Sequence, residues 1–300
     1  MALYDFALRF PDKGMRILRF PLTRLILALV FFAAFVFGGI VLKDIILNVI
    51  NIEDGTIAGQ AVQMAFLSAF AWLGYWIYCG LVEGRPVYEM DKRKLARQTL
   101  YGFLLGFGFI SAIMLIIWFS GGYRVTGFNP FITMVPVLIM SVQAGIMEEI
   151  LTRGILFRIM EEGIGTWLAV TVSALIFGFM HIWNANATVF SSISIALTAG
   201  VILAMLYVIT RQLWIPIGLH MGWNFTLGGI YGAPVSGGDA AGLLKAEFPG
   251  PEWLTGGSFG PEASVVTVAV FIVFGAFLVR KGIIDQSFIK PIWRNKRDKD

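Results

Sequence analysis

The sequence predicts an all-α polytopic membrane protein of about eight transmembrane helices, on three observations. Of its 300 residues, 57% are hydrophobic and only 14% are charged, and the mean hydropathy of +0.77 exceeds what a soluble domain needs. Several apolar runs reach the ~20 residues that a membrane helix requires. Of the 23 lysines and arginines, 19 fall on one side of these runs and three (Lys43, Arg124, Lys245) on the other, with Arg153 left inside a run. The positive-inside rule then places both termini in the cytoplasm. The net charge of +4 is a topology signal and does not point to nucleic acid.

Residues 1–24 read as an interfacial segment. They mix Tyr4, Phe6, Phe10 and Phe20 with Arg9, Lys13, Arg16 and Arg19, and Pro11 interrupts them. Such a pattern suits a surface of anionic lipid. It is unlike a signal peptide, because the first long apolar run starts late and is long enough to span. The predicted spans are 25–49, 58–81, 100–119, 131–157, 167–182, 189–209, 213–230 and 265–279. The fifth and eighth are short. No polar domain lies between them, so residues 25–282 form one membrane domain with its core motifs in 131–230. The lone Cys79 excludes an intrachain disulfide and reads as packing. Residues 83–97 form a basic cytoplasmic loop that turns at Pro86. Pro216 is expected to kink the seventh helix. Residues 231–262 form an outer loop too rich in Gly and Pro for a domain, and suit a lid or a plain connector. Residues 283–300 form a basic cytoplasmic tail. No internal repeat is visible.

Within this apolar chain, Glu148, Glu149 and Arg153 stand together. Charge at bilayer depth is costly, so such a cluster is a functional hypothesis by default. Glu149 and Arg153 are i,i+4 neighbours and can pair on a helix. Glu148 lies on another face and is not committed to that pair. The plainer reading makes the glutamates the wet end of a helix that starts near residue 131.

Depth argues against that reading. The two histidines of the chain, His181 and His220, both fall in predicted spans. With a turn at 163–165, Glu148 and His181 come level on an antiparallel helix pair. Arg158 and Arg211 mark inner helix ends, and Glu148 and His220 lie about ten residues from them, on the order of 14 Å into a ~30 Å core. Three ionisable groups on three helices thus share one layer. Asn224 is i,i+4 from His220. It suits orienting the imidazole, donating to an oxyanion, or a helix–helix hydrogen bond. Phe177 is i,i+4 from His181 and packs on it.

A carboxylate, two imidazoles and an amide in a dry layer fit hydrolysis of an amide bond. Glu148 takes a proton from water, while the histidines and Asn224 stabilise the oxyanion or hold a metal. Two histidines and one glutamate also make a known catalytic zinc set, here His181, His220 and Glu148. His-Glu-x-x-His and Gly-x-Ser-x-Gly are both absent. Spacing alone does not choose between a zinc hydroxide and a metal-free glutamate base. The metal-free base is preferred, because Arg153 engages the acidic pair and only two histidines exist.

In this order, Glu148-Glu149-x-x-x-Arg153, Phe177-x-x-x-His181 and His220-x-x-x-Asn224 resemble the three motifs of the CPBP family, the CAAX proteases and bacteriocin-processing (Abi) enzymes. The family includes the type II CAAX prenyl endopeptidases. Leu213 to His220 and Arg85 to Met90 are similar to its flanking segments, with weaker similarity at Thr255-Gly256-Gly257 and Phe259-Gly260-Pro261-Glu262. The resemblance implies an intramembrane protease with Glu148 as catalytic base, His181, His220 and Asn224 as further catalytic positions, and Glu149 and Arg153 in support. It implies membrane lipid and a peptide or lipidated protein as partners, and fits a prokaryotic cell membrane. Two other classes would use the same residues: a proton- or ion-coupled transporter, and a catalytically silent scaffold. The missing inverted repeat speaks against the transporter.

Overall fold

The computed structural model describes residues 20–292, and the expectations for residues 1–19 and 293–300 lie outside them. Eight helical rods occupy the predicted runs: α1 Pro21–Ile50, α2 Ile57–Glu83, α3 Leu95–Phe119, α4 Met134–Glu149, α5 Arg158–Met180, α6 Val189–Thr210, α7 Trp214–Asn224 and α8 Val265–Ile284. A π-helical stretch, Ile150–Phe157, joins α4 to α5, and another, Phe225–Ile230, extends α7. Among the described residues, six helices are long and apolar enough to cross a membrane. One of these, Phe131–Trp183, takes in both the fourth and fifth predicted spans. It doubles back at Gly165, whose φ of 78° breaks the helix at the expected turn. The exterior is lipid-like, with side chains such as Phe37, Phe119, Trp167 and Val273 exposed. The chain is an integral membrane protein.

Local signals set several ends. Thr56 accepts from the Gly59 amide to cap α2, Thr188 and Ser191 form a reciprocal capping box on α6, and Ser264 caps α8. Pro216 sits in the first turn of α7, so the expected kink is not there. First-turn amides have no intrahelical acceptor, and proline loses nothing at that place.

Between α3 and α4, strand β1 (Arg124–Phe128) pairs antiparallel with β2 (Leu244–Glu247). This ribbon and the rest of residues 231–263 fold over one end of the bundle. The opposite end carries residues 83–97. Glu83 and Glu89 are buried there. Glu83 receives Arg24 at 2.5 Å, Arg85 at 2.6 Å and Arg158 at 2.9 Å, and Glu89 receives Arg85 at 2.8 Å. Burial alone would push the Glu89 carboxyl up, but Arg85, its hydrogen bonds and Arg158 hold it below the usual range. This network ties α1 and α2 to the start of α5.

Helices α3 and α7 cross at close range. A Cβ on Gly102 or Gly106 would stand 2.3–2.4 Å from carbonyls of α7, and one on Gly218 or Gly222 would stand 2.2 Å from carbonyls of α3. Both helices carry Gly-x-x-x-Gly, the small-residue spacing that lets membrane helices touch backbone to backbone. His220 lies between the two glycines of α7, so this crossing sets its depth and rotation. Gly222→Ala is expected to destabilise by about 1–3 kcal/mol through overpacking. Gly80→Ala, where a Cβ meets nothing within 4 Å, is expected to stay within ~0.5 kcal/mol. Thermal unfolding of both variants in one detergent checks this.

Candidate active site

Four helices converge on one buried layer. Glu148 and Glu149 end α4, His181 follows α5 directly, and His220 and Asn224 lie on α7. The wall between them comes from α6 and from Phe177. The π-helical stretches adjoin the site at both acidic and amide ends, since one starts after Glu149 and the other after Asn224. Such wide turns displace hydrogen bonds from the regular ladder and recur at functional sites.

Glu149 and Arg153 pair as expected, at 2.9 Å, and both are almost wholly buried. Arg153 also donates to Thr152 Oγ1 at 2.8 Å and to the carbonyls of Ala199 and Gly200 at 3.3 and 3.1 Å. Its guanidinium lies 4.4 Å from the centre of the Phe177 ring. Phe177 therefore does more than pack on His181: it also floors the arginine.

Glu148 stays out of that pair. Its Oε2 is buried and has no hydrogen-bond partner. The same atom stands 4.0 Å from His181 Nε2 and 4.0 Å from His220 Nε2. Both rings are fixed through their other nitrogen. His181 Nδ1 lies 2.8 Å from the Phe177 carbonyl, an acceptor, so that nitrogen donates. His220 Nδ1 lies 2.9 Å from Glu149 Oε1. The carboxylate that the sequence assigns to Arg153 thus also orients His220, a contact that the sequence reading did not find. Both Nε2 atoms are left facing Glu148. The predicted site residues Glu148, His181 and His220 are brought together, and Asn224 lines the same small cavity as the two histidines. That cavity has room for about one water molecule.

Glu148 Oε2, His181 Nε2 and His220 Nε2 are the candidate donors for a zinc ion. No group of three or more His, Cys, Asp or Glu among the described residues is arranged to hold a metal ion. Donors at ~2.0–2.2 Å from a tetrahedral ion stand about 3.4 Å apart, whereas Glu148 Oε2 is 4.0 Å from each Nε2. Glu149 is already taken by Arg153 and His220.

The segment 231–263 completes the cavity. Ser236 and Glu262 line it beside Asn224. Asn184 and Asn186 donate to the carbonyls of Ser236 and Gly237, each at 3.0 Å, and hold that turn over the opening. Glu262 accepts from Trp223 Nε1 at 2.8 Å and from the Ser236 amide. Burial pushes its carboxyl above the usual range, and the Ser236 and Trp223 hydrogen bonds and nearby His181 offset this only in part. Sequence reasoning did not place Glu262 in the site. Its one signal was an acid at the end of Phe259-Gly260-Pro261-Glu262, directly before an apolar run.

Comparison with known proteins bears on this layer directly. Residues 130–226 match the family described as type II CAAX prenyl endopeptidase Rce1-like. The chain is 30% identical over 88 residues to "Putative membrane peptidase YdiL" of Bacillus subtilis (strain 168). That match takes in 29% of this chain and 34% of the relative, so the chain spans about a third of the length of the curated relative it matches. No solved structure matches the chain. Glu148, Glu149, Arg153, His181, His220 and Asn224 all fall inside residues 130–226. Over that region the resemblance drawn by the three motifs is borne out: residues 130–226 of this membrane protein are similar to the type II CAAX prenyl endopeptidases.

Proposed function

We propose that the protein is an intramembrane endopeptidase that hydrolyses a peptide bond of a membrane-associated or lipidated protein. The observation that carries this reading is the bare Glu148 Oε2, equidistant from two imidazole nitrogens in a buried layer. A gap of 4.0 Å on both sides suits a water held between a carboxylate and a ring nitrogen. Glu148 takes one proton of that water as its oxygen attacks the carbonyl carbon. Nε2 of His181 or of His220 accepts the other proton of the water, and Glu149 keeps His220 in the required orientation. Asn224 donates to the developing oxyanion. The C–N bond then breaks, and Glu148 returns the proton to the leaving nitrogen. Every step uses this chain's own groups, and none is routed through a metal.

The similarity of residues 130–226 to prenyl endopeptidases supports a lipidated substrate class. Quenched peptides with and without a prenyl group, incubated with the purified protein, test the reading. Cleavage of the prenylated peptide is expected. Failure to cleave either peptide, with solute movement in reconstituted vesicles, would assign the layer to transport.

The orientation proposed is the one that the basic residues imply, with 83–97 in the cytoplasm and 231–262 outside. Ala241 is exposed in the outer segment. With Cys79 replaced by serine, Ala241→Cys is expected to react with an impermeant maleimide in intact cells. Labelling that appears only after lysis would invert the topology.

A further inference from the structure

Five acidic side chains are buried among the described residues: Glu83, Glu89, Glu149, Glu161 and Glu262. Four of them hold an arginine. Glu83 has Arg24, Arg85 and Arg158, Glu89 has Arg85, Glu149 has Arg153, and Glu161 has Arg211. Glu262, 4% exposed, has no lysine or arginine within ion-pair distance among the described residues. Buried carboxylates are rarely left without a cation. This one lines the cavity beside Asn224, His181 and His220.

We infer that Glu262 is a specificity-determining residue that binds a cationic group of the substrate, an ammonium or guanidinium next to the scissile bond. The inference rests on the protease reading and deepens it. Position supports it. Trp223 and Asn224 lie about one helical turn, roughly 5–6 Å, beyond His220 along α7, and Trp223 fastens Glu262 at that level. A residue neighbouring the scissile bond reaches the same level when the carbonyl faces Asn224. Charge supports it as well, because Glu262 is the one acidic residue among those lining the cavity.

The hydrogen bonds of Glu262 explain how the site stays satisfied when empty. Trp223 Nε1 and the Ser236 amide donate to its two oxygens, and a carboxylate has further lone pairs to give. The cavity is too small for a peptide side chain as it stands. The Ser236–Gly237 turn must therefore lift, and the contact that it leaves is the Ser236 amide on Glu262. An incoming cation takes the place of that amide donor. Cleavage of a basic peptide is thereby favoured over that of a neutral one, since the neutral peptide leaves the acid without its exchange partner.

The test uses the full-length protein in detergent and three peptides of equal length: one acetylated with an internal lysine at the cleavage site, one neutral with a free N-terminus, and one neutral and acetylated. The wild type is expected to prefer a cationic peptide by at least about tenfold in kcat/KM. The first two peptides distinguish a basic side chain from a terminal amine. Glu262→Gln should erase the preference, lowering kcat/KM for the cationic peptides by at least about tenfold through KM and that for the neutral acetylated peptide by a smaller factor, and Glu262→Asp should retain it. A merely structural role would lower all three peptides together and would overturn the proposal, as would a wild type without preference. Binding of the same peptides to Glu148→Gln protein gives a readout that needs no turnover. If nothing is cleaved, the protease reading falls, while equal binding of all three peptides would overturn this inference by itself.

Discussion

Glu148→Gln is expected to lower peptide hydrolysis by at least ~100-fold, the range for removal of a general base, with folded yield little changed. Its side chain is 30% exposed and forms no ion pair with Arg153, so glutamine can occupy the same volume without stranding a partner. What it cannot do is take a proton from water. His181→Ala and His220→Ala should fall comparably, because each removes one side of the 4.0 Å gap around Oε2. Asn224→Ala should keep more activity than these if it serves as one oxyanion donor among several groups. The losses should not add, since all four groups act on one transition state. Initial rates on the quenched prenyl peptide, with unfolding curves for each variant, are the measurement. Full activity in a folded Glu148→Gln protein would remove the base from this residue and take the proposed mechanism with it.

Arg153→Ala is expected to cost about 3–5 kcal/mol of stability, as removing one partner of a buried pair does. The guanidinium is 1% exposed and holds four acceptors at once: Glu149, Thr152 and the carbonyls of Ala199 and Gly200. Its loss leaves Glu149 charged in low dielectric and two α6 carbonyls without their donor. Arg153→Lys should recover only part of the stability, because an ammonium cannot reproduce the planar fork. Activity should fall with stability, since Glu149 also orients His220. Thermal unfolding in detergent separates the two effects. A wild-type melting temperature for Arg153→Ala would contradict the structural role.

The positions that the sequence misjudged share a cause. Residues 83–97 read only as a basic loop, yet Glu83 and Glu89 lie buried among Arg85 of that loop and arginines from α1 and α5. Composition reports charge and is silent on whether distant residues neutralise it. Pro216 read as a kink because proline in a helix interior costs a hydrogen bond. It became harmless once α7 began at Trp214. The glycines of α3 and α7 carried a legible Gly-x-x-x-Gly spacing, but spacing names no partner, and only the crossing joined them to each other.

What the sequence determined by itself was whatever depends on neighbours along the chain. Transfer of an apolar run into lipid is nearly additive over ~20 residues, so the runs were found. The rise of a helix is fixed at 1.5 Å per residue, so the common depth of Glu148, His181 and His220 could be counted from the turns. The i,i+4 geometry is equally local, and it gave the Glu149–Arg153 pair. Tertiary structure decided what depends on how each rod is rotated and where the connections run. Rotation of α7 against α3 aimed His220 Nδ1 at Glu149 rather than leaving its orientation to Asn224. The path of residues 231–263 carried Glu262 from a segment read as lid or connector to the wall of the cavity. Axial rotation and loop path are settled by close approach and by pairing of buried charge between residues tens to over a hundred positions apart, and no local pattern in the chain records them.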